Sequence, residues 1–434
     1  MRSFGFDTSV FAKQLTAYVA GDTYLFAENK ELAMSQTTRR IALLFCCTLS
    51  LAVLANTAEA QTLTVLYNFT GGNDGAIPAG GLTMDRAGNF YGITTYDGAG
   101  GYGTVFRLSR AGSGWVLTPL YSFTSADGHA NPGVVIGPDG NLYGTASGGL
   151  GSVYRLQRPA TACHSVICPW TKTVIYTFDG GHGSYPTGNL IFDQAGNIYG
   201  TAIGGGPDGE GTVYELSPSN GGWTPSVLWS FIPQTGYLPQ SGVTFDNSGN
   251  LYGTTSRGGA NDGGVVYELS PSGSGWTQTV LYTNSSSNLD AGVVIDGQGN
   301  LYGASCCGHH YDQPGVVFEL TPSNGSWIFN VLYAFDADGS GPVNTPTLDT
   351  AGNVYGTSLG TGANNLGEVY KLTPSNGGWT YNSVSFDGSN GKDPYGSVIL
   401  DAAGNIYGTA EEGGTGLCNI NGIMGCGVVW EITP

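Results

Sequence analysis

Charge is scarce in this chain of 434 residues: 11% are Asp, Glu, Lys or Arg, against about 25% in ordinary globular domains. Basic residues are scarcer still, 14 against 32 acidic ones, and the net charge of −18 disfavours nucleic acid and anionic membrane as partners. Long apolar runs are missing as well. The stretch 41–55 falls short of the roughly 20 residues that cross a bilayer, and no comparable run follows it, so no membrane span is expected. Helical periodicity is absent from 61–434, where glycines interrupt every apolar segment before a 3.6-residue pattern can establish itself. What the chain has instead is 73 Gly, 25 Tyr, 17 Phe and 8 Trp. So many aromatics exclude disorder, and so many glycines require many turns.

The N-terminal region reads as an export signal. Met34 is followed by Arg39 and Arg40, the apolar run 41–55, and Ala58-Glu59-Ala60 as a small-x-small cleavage site. Residues 34–60 are therefore expected to be a signal peptide and 61–434 the mature chain, with residues 1–33 an upstream leader from a start assigned too early. A secreted, periplasmic or cell-surface location follows.

The mature region repeats itself seven times. Gly-Asn-apolar-Tyr-Gly begins at Gly88, Gly140, Gly196, Gly249, Gly299, Gly352 and Gly404. After each copy comes Gly-x-Val-aromatic-x-apolar, beginning at Gly103, Gly151, Gly211, Gly264, Gly315, Gly367 and Gly427. A third run starts at Trp115, Trp170, Trp223, Trp276, Trp327 and Trp379. Its seventh copy lies at the other end of the chain, where 63–69 reads Leu-Thr-Val-Leu-Tyr-Asn-Phe. With a Gly-Val-Val-Ile-like run ahead of each Gly-Asn, every unit offers four short β-rich segments separated by turn residues. Four strands in about 50 residues is the size of a propeller blade. The sequence thus predicts an all-β, seven-bladed β-propeller of four-stranded blades, a single domain over 61–434, with the last blade closed by the N-terminal strand.

Asp stands three residues before the Gly-Asn pair at Asp85, Asp193, Asp246, Asp296, Asp349 and Asp401, with Gly137 in the seventh copy. Asp followed by Gly and Asn is turn chemistry, and each Asp belongs to a different blade, which argues against a shared calcium site. The repeated Tyr and Trp read as packing between blades. The segment 193–231, with Asp-x-x-Gly-Asn-Ile-Tyr-Gly-Thr, Gly-Thr-Val-Tyr-Glu-Leu-Ser-Pro and Gly-Gly-Trp in succession, resembles the GloVer tandem repeat of exported bacterial proteins. The resemblance extends over essentially all of 61–434. It implies a propeller-like, exported protein and brings no catalytic residue with it.

Loops joining strand 4 to strand 1 and strand 2 to strand 3 open on one face of a propeller, and here they vary in length while those of the other face are nearly uniform. Binding is expected on the variable face. The catalytic candidates there are His129, His182, His309, Arg257 and Glu411, with Asp208, Glu210, His310, Tyr311 and Glu412 as ligand-binding candidates. His, Arg and carboxylates around a funnel are the groups an acid/base site requires, although no short motif ties them together. Six cysteines remain after the leader, expected as the disulfides Cys163–Cys168, Cys306–Cys307 and Cys418–Cys426. Metal binding by the Cys306, Cys307, His309 and His310 group is the rival to a vicinal bridge. Neither a cofactor nor a resident metal is otherwise expected. The expectation for function is an exported, monomeric binding module for a polysaccharide or protein ligand. A polysaccharide lyase or glycoside hydrolase on the same face and a structural cell-envelope protein are the alternatives.

Overall fold

The structure is a computed structural model, and it describes residues 61–159, 170–285, 288–306, 315–335, 341–420 and 423–434. The predicted signal peptide and leader, Cys163, Cys168, Cys307, His309, His310 and Tyr311 lie outside the described residues. Within the compact unit Gln61–Pro434, seven antiparallel sheets follow one another as the blades of a propeller, the first six built outward in chain order. In blade 3, for example, Ser184–Phe192, Ile198–Gly204, Thr212–Ser219 and Gly222–Ser230 run from the innermost to the outermost strand. Blade 6 divides its inner edge into two short strands, Gly341–Pro342 and Thr347–Leu348. Blade 7 takes its outermost strand from the start of the unit: Thr62–Asn68 pairs with Val428–Thr433, with Thr62 opposite Thr433. The ring is closed as the displaced copy of the third run requires.

Burial explains the repeat. The Leu-Tyr-Gly-Thr strand is buried along its whole length, because both of its faces meet a neighbouring blade. Seven apolar clusters result, each joining two consecutive blades; Tyr199 and Val213 of blade 3, for instance, pack with Leu251, Val265 and Tyr267 of blade 4. The glycine after the repeated Tyr is required by an aromatic residue from the third strand. A Cβ at Gly200 would lie 2.5 Å from the Tyr214 hydroxyl, and Phe106, Phe318 and Trp430 occupy the same place in blades 1, 5 and 7. The Thr that follows links blades through its hydroxyl. Thr201 donates to Ser241 O (2.8 Å), Thr254 to Ala291 O (2.8 Å), Thr357 to Gly396 O (3.2 Å) and Thr409 to Gly80 O (2.8 Å). Trp packing crosses the same boundaries, as where Tyr91 meets Trp170 at 6.3 Å and Tyr143 meets Trp223 at 6.4 Å.

Candidate functional site: the variable loop face

One face of the ring spends its polar groups on itself. At each Gly-Asn turn an Asp accepts backbone N–H bonds through Oδ1, and Oδ2 takes the Asn side chain and the Tyr hydroxyl. In blade 6 the Asp349 carboxylate receives Asn353 N (2.9 Å), Asn353 Nδ2 (2.6 Å) and Tyr355 OH (2.9 Å). Blade 2, which has Gly137 at the usual Asp position, uses Asp139 instead for Asn141 and Tyr143. Burial alone would raise these acids. The bonds from Asn, backbone and Tyr outweigh it and hold Asp85, Asp193, Asp246, Asp349 and Asp401 below the usual carboxylate range.

The opposite face is built by an X-Pro brace that recurs between blades. Ile77, Tyr185, Leu238 and Asp393 precede Pro78, Pro186, Pro239 and Pro394, and each has a positive φ, between 52° and 58°. Such backbone is strained for residues with a side chain. It is held because the N–H reaches the preceding blade, Ile77 to Cys426 O (3.1 Å), Tyr185 to Leu150 O (2.7 Å), Leu238 to Glu210 O (3.2 Å) and Asp393 to Leu366 O (3.0 Å). The proline then covers the first glycine of that blade's third strand: a Cβ on Gly427 would stand 2.4 Å from Pro78 Cδ. Every braced loop is thereby fixed to the preceding blade.

These loops distribute the sequence-predicted residues into separate nests. His129, half-buried, lies between the rings of Tyr96 (5.1 Å) and Tyr102 (4.9 Å), with Nδ1 2.7 Å from Thr95 O. A carbonyl only accepts, so Nδ1 carries the proton and Nε2 is the basic nitrogen. His182 Nδ1 is 3.0 Å from the Asp179 carboxylate, and its backbone N–H donates to the same Asp. Arg257 pairs with Asp262 at 3.7 Å, and Tyr237 shares Asp262 while feeling the charge of Glu210. Asp208 donates its N–H to Ser230 Oγ (3.2 Å). Glu411 and Glu412 stand in blade 7. The structure thus sets the charges of Arg257 and Glu210 on the same Tyr237 and couples Glu411 to Glu412; His182 is fixed within its own loop, whereas His129 is held by residues of the preceding blade.

The blade 7 nest gathers a lysine and three carboxylates. Lys392 Nζ lies 2.7 Å from Glu412 Oε2 and 3.4 Å from Asp393 Oδ2. Glu411 donates its N–H to Asp393 O (3.1 Å). Burial first, then the charges of Asp393 and Glu412, push the Glu411 carboxyl up to about 7. Tyr395, 41% exposed, is raised by partial burial and by the carboxylates of Glu411 and Asp290. Asp290 accepts Gln240 Nε2 at 3.2 Å, linking blades 4 and 5, and Asn344 Nδ2 donates to the backbone Tyr395 O, linking blades 6 and 7. Sequence reading missed Lys392, Asp393, Tyr395 and Asp290. The available signal was the proline ten residues before the Gly-Asn pair in blades 1, 3, 4, 6 and 7, which marks the loop that approaches the axis. Among the described residues no group of three or more His, Cys, Asp or Glu is arranged to hold a metal ion. Cys418 and Cys426 form a disulfide that closes the blade 7 loop, and Cys306 is also a disulfide cysteine.

Fold and loop face together define a seven-bladed propeller with one self-contained face and one braced, chemically varied face. The chain belongs to the Gloeobacter/Verrucomicrobia repeat family, whose model matches residues 52–172, 151–347 and 290–434. No curated protein matches it. Among solved structures it is similar to an ulvan lyase of polysaccharide lyase family PL25 bound to a GlcA-Rha3S saccharide, with 13% identity, 85% of this chain and 95% of the other covered, and a TM-score of 0.53. It is also similar to the periplasmic gluconolactonase of Pseudomonas aeruginosa, with 14% identity, 71% and 84% covered, and a TM-score of 0.45. A third is PorZ of Porphyromonas gingivalis, a surface component of the type-IX secretion system, with 15% identity, 79% and 46% covered, and a TM-score of 0.46. At these identities the likeness is one of fold.

Proposed function

We propose that this chain is an exported binding module that takes an extracellular saccharide on the variable loop face, at the channel mouth beside Tyr395 and Glu411. The observation that supports this reading is the contrast between the two faces. The Gly-Asn turns engage their carboxylates, amides and phenols internally, whereas the loop face presents Tyr185 (49% exposed) and Tyr395 (41% exposed) on loops fixed to neighbouring blades. Exposed tyrosines offer a flat apolar surface to a sugar ring together with a hydroxyl. The acidic mouth favours neutral or amine-bearing saccharides over polyuronates. Retention of the full chain on immobilised polysaccharides tests the reading. Binding to a neutral or amino polysaccharide that Tyr395→Ala weakens severalfold is expected, and retention unchanged in that variant overturns the assignment of the site.

An enzyme on the same face is the second reading, favoured by Glu411, whose carboxyl is poised near neutrality as a general acid/base requires. It predicts new reducing ends or unsaturated uronate from a polysaccharide, lost in Glu411→Gln. His129→Ala and His182→Ala test the two histidines in the same assay.

A further inference from the structure

The outer rim of the ring holds one edge that differs from the other six. Every blade ends in an exposed outermost strand, and in blades 1, 2, 3, 4, 5 and 7 the pairing of that strand with its neighbour is interrupted by a register shift, as between Val266 and Tyr267 in blade 4. Such bulges twist an edge away from foreign strands. Blade 6 has none. Gly378–Ser385 pairs with Glu368–Ser375 in unbroken register over eight residues. The cause is visible in the sequence. Seven residues separate Trp379 from Phe386, whereas eight separate Trp115 from Phe123, Trp223 from Phe231 and Trp327 from Phe335. Blade 6 lacks the one residue that makes the bulge.

The same edge lacks the other usual protections. Its sequence, Gly-Trp-Thr-Tyr-Asn-Ser-Val-Ser, contains neither Pro nor charge, and Thr380, Asn382 and Ser383 are exposed. Beside it, the outer strand of blade 5 exposes Ile328 (49%) and Val331 (52%), and the two strands are joined by Tyr333 stacked on Tyr381 at 3.9 Å and 10°. A regular edge strand directs alternate N–H and C=O groups outward, so the rim at blades 5 and 6 combines a free hydrogen-bonding edge with apolar surface.

We infer that this edge is a self-association surface, on which Gly378–Ser385 pairs antiparallel with the same strand of a second copy. Two observations select a second copy as the occupant. The strand is neutral in a chain of net charge −18, so self-pairing at this edge avoids the like-charge repulsion that other parts of the surface would bring. A two-fold antiparallel pairing also needs no second kind of surface, since the same eight residues serve both partners and Ile328 and Val331 flank the junction. The sequence alone suggested a monomer; the unbroken edge predicts a dimer.

Sedimentation equilibrium of the full chain across a wide concentration range tests this. A monomer–dimer equilibrium is expected, weakened roughly tenfold or more by Asn382→Lys or Thr380→Lys, which set like charges against each other across the two-fold. Thr279→Lys, on the bulged edge of blade 4, is expected to leave it unchanged. Two variants at the edge guard against one failing to fold, and an unaltered thermal transition in either shows that the ring is intact. A chain that is monomeric at every concentration overturns the inference, as does a dimer insensitive to both edge lysines. A monomer that instead binds an added β-strand peptide assigns the edge to a foreign strand and also overturns self-pairing.

Discussion

Each turn aspartate concentrates several hydrogen bonds on one carboxylate, and this makes it the most sensitive polar position in the repeat. Asp349→Ala strands Asn353 and Tyr355 without their acceptor and is expected to cost about 2 kcal/mol, read from denaturant unfolding. Tyr267 predicts the opposite sign. Its ring is wholly buried against Gly253, and its hydroxyl has no partner among the described residues. Phe106 and Phe318 fill the equivalent places in blades 1 and 5 without a hydroxyl. Tyr267→Phe should therefore be neutral or stabilising by up to about 1 kcal/mol in the same measurement. Glu411 has a pH signature. Its carboxyl is raised in the folded chain, so the folded state binds the extra proton between the ordinary carboxylate range and about 7. The Glu411 contribution to stability then falls as pH rises through that window. Glu411→Gln is expected to flatten the fall, with little difference from the parent at pH 4 and a higher melting temperature at pH 8. The turn aspartates are lowered instead, so their stabilisation is present above the ordinary Asp value and is lost only as pH falls below it.

At the scale of strands, the blade order, the closing strand and the identity of the variable face were legible in the chain, because spacing and turn chemistry are local. The brace was not. Asp74 to Pro78 reads as a turn in isolation, and only the packed ring shows Ile77 reaching Cys426 and Pro78 covering Gly427. The candidate site was legible by residue type but not by grouping: Glu411 was visible, while Asp393, whose charge helps raise it, comes from a different loop whose approach depends on tertiary contacts. His129 shows the same limit, since its ordering by Thr95, Tyr96 and Tyr102 arises across a blade boundary. The element with the greatest leverage is Thr62–Asn68. Removing it exposes the edge of Val428–Thr433 and the apolar residues that Leu63 and Val65 cover. A chain lacking residues 61–70 is expected to aggregate and to melt well below the parent, measured by light scattering and calorimetry.

For the molecule as a whole, a seven-part core means that stability resides at the boundaries between blades rather than within any one sheet. Each apolar cluster is shared by two neighbours, and the Thr hydroxyls cross the same boundaries. The excess of negative charge acts against this compactness through self-repulsion, and added salt should raise the melting temperature until screening is complete. Closure by the first strand also orders events in time. Thr62–Asn68 precedes its partner Val428–Thr433 by the whole length of the ring, so it waits unpaired until the strands of all seven blades have been made. Contacts this far apart in sequence form slowly. During that interval the protein depends on whatever keeps an unpaired β-strand from meeting another.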